Sequence, residues 1–419
     1  MKRAIFATIL LLSGVIGINA QPLERALPEA VGMSTEHLKY ADRAIEQAIA
    51  DGDIPGAVLA VVRNGKMAYL KAYGNRRTTP VREAMTTSAI FDMASCTKPL
   101  STAICAMILV ERGGIRLLDP VADYVEGFQN WRGADGKQQK IRIIDLMTHT
   151  SGLPSYVAPA KLEREYGSVS SEVLMKYICT CKRESEPQKS FRYSCLNYIT
   201  LQYIIEKVSG ESLRDFARKN IFAPLGMEHT DYIPCRRNSA GLWAAAAEPC
   251  WAATEKDWSA DIAPTEKLRD GQILCGTVQD PLAREAKSGV SGNAGLFSTA
   301  DDVAVLCTAI LNGGICRGVR ILSPLTVEMM TRTPRATSDI GRTPAWDIFT
   351  PYASANGDIF SPDTFGHTGH TGTSVVIDPK NNTAVILLTN AVHPDEGHSV
   401  VRLRSLVSNT VAASIRPEE

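Results

Sequence analysis

Hydrophobic positions first recur at helical spacing near the start of the chain. Leu38, Ala41, Ile45 and Ile49 share one face, Ser34 stands at the N-cap position, and Asp51-Gly52 ends the run, which predicts a helix over about 34–51. The pattern then changes period. AVLAVVRNGKMAYLKAYG holds two β-rich runs on either side of Asn64-Gly65, a strong short-range hairpin signal. A second helix is predicted from Pro99 to Val110, apolar on nearly every face and closed by Gly113-Gly114. From about 115 to 300 the pattern is one of helical pieces, among them Ile143–Thr150 and Asn197–Val208, joined by long irregular loops. Pro234–Val290 is the longest of these loops, and a compact domain keeps such a loop mainly where it shapes a site. Thr299 or Asp301 starts a helix to Leu311, stopped by Gly313-Gly314. Strand signals return at Thr373–Asp378 and Ala384–Asn390, separated by the turn-like DPKNNT, and an amphipathic helix closes the chain over His398–Ile415. Strands thus occupy both ends and helices the middle, which suggests a mixed sheet assembled from the two termini with a helical lobe inserted between them.

Composition changes this picture in one respect. Lys plus Arg and Asp plus Glu both number 45, so the net charge is zero and nothing marks a nucleic-acid or membrane surface. The first twenty residues stand apart. Lys2 and Arg3 precede AIFATILLLSGVIGI, and Ile18 and Ala20 occupy the −3 and −1 positions of a cleavage site before Gln21. Residues 1–20 therefore read as a secretory signal peptide, and the mature chain is expected to start near Gln21, exported to the periplasm, with no membrane span. The ten cysteines permit disulfides without requiring them. Cys96 and Cys195 are expected as reduced packing residues, while Cys235 with Cys250 and Cys307 with Cys316 are candidate pairs.

Chemistry concentrates in three places. In FDMASCTKPLST, Ser95 and Lys98 stand three residues apart at a helix start, which puts both side chains on one helical face. A lysine amine so placed can take the serine proton and activate a weak nucleophile, and the free N–H groups of a helix start favour developing negative charge. In FRYSCLNYITLQYIIEKVSG, Tyr193 precedes a helix; a phenol near an ammonium can have its pKa lowered and shuttle protons. In GHTGHTGTSVVIDP, His367-Thr368-Gly369 leads toward a strand, with glycines that let a ligand approach the backbone.

In this order the three elements resemble the serine β-lactamase and penicillin-binding-protein superfamily, on its class C branch, which also holds esterases and D-amino-acid peptidases. Its elements are Ser-x-x-Lys, then Tyr-x-Asn, then Lys-Thr-Gly or His-x-Gly on a strand. They fall here at Ser95–Lys98, Tyr193–Cys195 and His367–Gly369, and LMTHTSGLP, APLGM, IAPTE and SGNAGLFSTADD extend the likeness across Gly52 to Leu388. The resemblance implies an α/β plus all-α, two-lobe fold: an antiparallel sheet flanked by terminal helices, from about 21–90 and 315–419, with an inserted helical lobe over about 91–314. It implies roles as well. Ser95 would be the acylated nucleophile, Lys98 with Tyr193 the base system, and the backbone N–H groups of Ser95 and His370 the oxyanion hole. His367, Thr368 and Gly369 would line the substrate, with His367 where the family's third-motif lysine meets a substrate carboxylate.

Two departures from the pattern affect specificity. Cys195 replaces the Asn whose amide binds the acylamido group of peptide-like substrates, and Asn197 stands too far along its helix to substitute. His367 exchanges a permanent cation for a group titrating near pH 6.5. Both weaken recognition of β-lactams and D-Ala-D-Ala peptides and leave the Ser–Lys–Tyr machinery in place. The expectation is a serine hydrolase for a small ester or amide. Acyl transfer to an alcohol, a true β-lactamase or carboxypeptidase, and a non-enzymatic acyl-binding sensor are the alternatives. The chain has no Gly-x-Ser-x-Gly elbow and no His-Glu-x-x-His helix, so no metal and no cofactor is expected. His149 is expected to brace a loop near the site, and His393 and His398 to be solvated.

Overall fold

The computed structural model describes residues 22–253, 257–332, 341–348, 355–397 and 399–417. The signal-like segment and His398 lie outside them.

A seven-stranded antiparallel sheet is built from both ends of the chain. Its strands are β1 (Gly56–Arg63), β2 (Lys66–Arg77), β3 (Glu83–Ala84), β7 (Asp347–Ile348), β8 (Phe365–Thr368), β9 (Ser374–Asp378) and β10 (Thr383–Thr389). They lie in the order β7-β8-β9-β10-β1-β2-β3, with Ala57 opposite Thr389 and Arg63 opposite Thr383 where the two ends of the chain meet. The intervening strands β4 (Phe91–Asp92), β5 (Asp231–Tyr232) and β6 (Leu296–Ser298) form a small second sheet, ordered β4-β6-β5. The β1–β2 turn places Asn64 and Gly65 at φ of 51° and 73°, the left-handed pair that such a hairpin requires.

All eight residues of β1 are buried, because helices cover both faces of the sheet. Ala57, Leu59 and Val61 face one core with the terminal helices α1 (Thr35–Ala50) and α5 (Val401–Ala413). Val58, Ala60 and Val62 face the other, larger core, which includes α2 (Ile104–Glu111), α3 (Cys195–Ser209) and α4 (Ala300–Leu311). The Ser34 hydroxyl caps α1 by accepting from the His37 N–H. No helix among the described residues is long and apolar enough to cross a membrane.

Several expectations need correction. The α4 segment, placed by sequence with the inserted helices, packs against β1 and β10. Its buried residues Val303, Ala304, Leu306 and Ile310 explain this, because an apolar helix beside a sheet buries more surface than one on a lobe's rim. The ten cysteines are all unpaired, so neither Cys235–Cys250 nor Cys307–Cys316 is bridged. His393 is 4% exposed rather than solvated: Thr78 N–H donates to its Nε2 and its Nδ1 meets the Thr265 carbonyl at 3.0 Å. The region 234–290 is mostly irregular but contains a small hairpin, Cys235–Arg237 with Trp243–Ala245, and a helix at Pro281–Ala286.

Leu59 has no solvent exposure and sits at the centre of the face shared with α1 and α5. Leu59→Ala is expected to lower the unfolding free energy by about 2–5 kcal/mol, measured by equilibrium denaturation.

Candidate active site

Ser95 sits where β4 turns into a helical run. The chain turns sharply at Ala94, whose φ of 45° is left-handed and costs a non-glycine residue about 1–3 kcal/mol. Asp92 braces the turn: one carboxylate oxygen accepts the Ala94 N–H at 2.9 Å, the other the Gln279 N–H at 2.7 Å. Burial pushes the Asp92 pKa up to about 6, with those two N–H groups pulling the other way. Ser95 then lies in a 3₁₀ turn (Ala94–Cys96), and Lys98 opens a wider π turn (Lys98–Ala103) before α2 begins. The stretch is helical as the spacing predicts, but it tightens around Ser95 and widens from Lys98.

Lys98 has no solvent exposure. Its Nζ lies 3.0 Å from Ser95 Oγ, 2.9 Å from the Asn293 carbonyl and 3.7 Å from Cys195 Sγ, and 4.9 Å from the centre of the Tyr193 ring. Burial pulls the ammonium's pKa down, but Cys195 and Tyr193 more than offset this and hold it above the ordinary value. Tyr193 responds in the opposite sense to the sequence expectation. Burial raises its pKa, and Lys98 only partly counteracts the rise, because a phenolate out of water loses more than the neighbouring ammonium returns. Its hydroxyl is still close enough to Lys98 and Ser95 that both favour the ionised form. At neutral pH the pair rests as ammonium and phenol.

His149 braces this region, as expected. Its Nδ1 accepts the Ser194 N–H at 3.1 Å and lies 3.2 Å from Asn197 Nδ2, so the proton is on Nε2, and its ring lies against Tyr193 with centroids 4.5 Å apart. Asn197 is fully buried and also holds Ser151 at 2.6 Å, so it is indeed kept out of the site.

The third motif ends β8, and the turn 369–373 leads into β9. Thr373 Oγ1 donates to the Met93 carbonyl at 3.1 Å, and Thr371 Oγ1 to the Asp92 carbonyl at 2.8 Å, tying this turn to the turn that carries Ser95. A Cβ on Gly369 would run into Thr373 Oγ1 and the Met93 carbonyl, so this approach requires glycine. The cleft between the motifs has a volume of about 620 Å³ and is lined by Ser95, Tyr193, His367, Thr368, Gly369 and His370.

The beta-lactamase family model matches residues 41–407. The chain belongs to the beta-lactamase family. It is 33% identical over 406 residues to an "N-acetylmuramyl-L-alanine amidase" of Bacillus subtilis, covering 89% of this chain and 86% of that protein. It is 30% identical over 421 residues to a "Putative D-alanyl-D-alanine carboxypeptidase" of Escherichia coli K12, covering 94% and 92%. Among solved structures, "EstCE1, a hydrolase with promiscuous acyltransferase activity" superposes with a TM-score of 0.66 at 25% identity, over 90% of this chain and 99% of that one. The fold is β-lactamase-like, and the chain is a serine hydrolase of this family.

Within the family frame, His367 departs further than its sequence suggests. Its Nδ1 donates to the Thr368 carbonyl at 2.9 Å, which leaves Nε2 unprotonated; that atom is buried without a partner. Burial, with Arg342 and Lys98 adding repulsion, holds its pKa well below the ordinary value, so it does not titrate near 6.5 as expected. A cation does reach the cleft by another route. Arg342 stacks on Phe191 at 4.8 Å and on Tyr193 at 5.4 Å and pairs with Asp347, itself raised to about 6 by burial against the pull of Arg342. No motif signalled Arg342 or Asp347. Asn293, whose carbonyl holds Lys98 and whose side chain lies beside the Cys195 sulfur, falls within SGNAGLFSTADD, where the likeness gave it no role.

A histidine held neutral in this way is directly observable. Nitrogen-15 NMR of His367 is expected to show an Nδ1-protonated neutral ring that stays neutral as the pH falls through the ordinary histidine midpoint near 6.5. A titration midpoint near 6.5 would contradict the burial argument.

Proposed function

We propose that this chain is an exported hydrolase that cleaves a small ester or amide through an acyl-enzyme on Ser95. The observation carrying this reading is the 3.0 Å contact between Ser95 Oγ and the buried Lys98 Nζ at the cleft floor. The reacting form has one proton fewer than the resting form. Neutral Lys98 gives its two N–H bonds to the Asn293 carbonyl and toward Cys195, and its lone pair faces Ser95 Oγ. The serine proton passes to Lys98 as Oγ attacks the substrate carbonyl carbon. The Ser95 and His370 amides hold the oxyanion, and Tyr193 returns a proton to the leaving group as its bond breaks. Water, or an alcohol, then attacks the acyl carbon by the same path in reverse. Removing one oxyanion donor in such a site typically costs about 3 kcal/mol.

The charges around the cleft favour an uncharged substrate. His367 is neutral, Arg342 is compensated by Asp347, and Cys195 offers no amide to an acylamido group. A second reading, hydrolysis of a carboxylate-bearing peptide, has support from Arg342, whose Nε and Nη1 have no partner, and from the names of the two relatives. Arg342→Met separates the two: a loss confined to KM for an acyl-D-Ala-D-Ala peptide supports the peptide reading, and unchanged ester kinetics with no peptide turnover in either protein support the ester reading.

Intact-mass analysis across esters, nitrocefin and D-amino-acid peptides is expected to find an adduct on Ser95 and none in Ser95→Ala. Lys98→Ala and Tyr193→Phe should each lower kcat/KM by about 10²–10⁴ with the fold retained. Because Lys98 and Tyr193 both rest above their ordinary values, kcat/KM should climb about tenfold per pH unit through the neutral range and keep rising past pH 9. A plateau at pH 7 would refute the resting protonation assigned here.

A further inference from the structure

Arg404 reaches the cleft wall from the first turn of α5. It is 7% exposed, and its Nη2 donates to the Gly369 carbonyl at 2.7 Å and to the Thr373 carbonyl at 3.0 Å. These carbonyls bracket the turn after the third motif, which is also closed by Gly369 N–H on Thr373 O at 2.7 Å and Gly372 N–H on Gly369 O at 3.1 Å. Among the described residues no carboxylate pairs with Arg404, and burial lowers its pKa only to about 10, so the guanidinium stays charged at neutral pH. An uncompensated buried cation costs stability.

The position of that charge is informative. The Gly369 carbonyl is one end of a peptide group whose other end is the His370 N–H. A cation bonded to the carbonyl oxygen draws electron density through the amide and makes the N–H a stronger donor. We propose that Arg404 is a positioning residue for the oxyanion hole: it locks the turn 369–373 through two carbonyls and polarises the Gly369–His370 peptide toward the tetrahedral intermediate. This rests on the reading of Ser95 as the acylated nucleophile and extends it to a residue on a different element. Arg404 also lines the cleft, but its hydrogen bonds go to the two carbonyls of the turn, which assigns it to the turn rather than to the substrate. Its effect is largest where negative charge is largest, in the transition state, so it belongs in kcat rather than KM.

The test is stopped-flow acylation by p-nitrophenyl butyrate, combined with the infrared carbonyl stretch of the acyl-enzyme, in the wild type, Arg404→Met and Arg404→Lys. The expected result is an acylation rate constant about 10- to 100-fold lower in Arg404→Met, with KM within about twofold of wild type. The acyl carbonyl stretch should move to higher frequency, and Arg404→Lys should recover part of both effects. A turn that is merely loosened would lose substrate affinity as well and would not be rescued in step with charge. A folded Arg404→Met with the wild-type rate, or a loss lying wholly in KM, overturns the proposal. If the Met variant does not fold, Arg404→Lys decides. A lysine reaches one carbonyl rather than two, so a rate about three- to tenfold lower with a raised carbonyl frequency supports the proposal, and wild-type values for both overturn it. Absence of any Ser95 acylation in the wild type would overturn the acyl-enzyme reading and this proposal together, whereas normal wild-type acylation with an unaffected Met variant would overturn this proposal alone.

Discussion

An ammonium shut away from water governs how this site is assembled. Lys98 has no exposure, and a buried charge is tolerated only where each of its donors finds an acceptor. Those acceptors come from separate parts of the chain: Ser95 from the same helical run, Asn293 from the segment before β6, and Cys195 from the first residue of α3. Removing one partner of a buried charge costs about 3–5 kcal/mol, so the segments around Lys98 are held together by the same contacts that satisfy its donors. The backbone accommodates this closely. A Cβ on Gly292 would collide with the Tyr198 carbonyl, so the loop that brings Asn293 to Lys98 lies directly on α3.

A second constraint joins the turns of the first and third motifs. The turns that carry Ser95 and His370 lie 275 residues apart in sequence number and are joined by hydrogen bonds. Thr371 and Thr373 reach the Asp92 and Met93 carbonyls, and Cys96 Sγ lies 3.6 Å from the His367 carbonyl. Asp92 holds Ala94 in its left-handed turn from the other side. Strain at Ala94 is therefore sustained by buried bonds on both flanks, which is how a serine can stay pointed into a cleft without relaxing back into a regular helix.

What could be read from the sequence was what depends on local pattern. Apolar spacing located α1 and α2, Asn64-Gly65 located the hairpin, and the three-residue interval of Ser95 and Lys98 placed both on one face. What could not be read depends on neighbours distant in sequence. His367 has the same imidazole whether exposed or buried, and its neutrality follows from burial beside Lys98 and Arg342, residues it meets only in the fold. His393 sits in a polar stretch that composition assigns to solvent, yet backbone groups near Thr78 and Thr265 enclose it. The α4 segment is periodic and apolar in either location; only the uncovered face of β1 and β10 decides where it packs. Arg342 and Asp347 are the exception: they pair locally, five residues apart and bridged antiparallel in one tight hairpin, a spacing that no motif marks.

The distribution of charge links these features to catalysis. A permanent cation facing the cleft, where the family's third motif carries lysine, would bind an anionic substrate equally well before and during the reaction, and such uniform binding does not speed the chemical step. In this chain the cleft-facing position is a neutral imidazole with a free acceptor, and the nearby guanidinium is balanced by Asp347. Arg404, with no carboxylate partner among the described residues, lines the cleft and binds two carbonyls of the turn that carries the His370 amide. Positive charge is thereby placed against the Gly369–His370 peptide rather than on the third-motif side chain. Cys195 is consistent with that shift, because a thiol gives Lys98 a soft acceptor while offering the substrate no amide hydrogen bond. On the proposed acyl-enzyme reading, a site arranged this way would discriminate weakly among ground states and act mainly on the intermediate, which would suit an acyl group that carries no charge of its own.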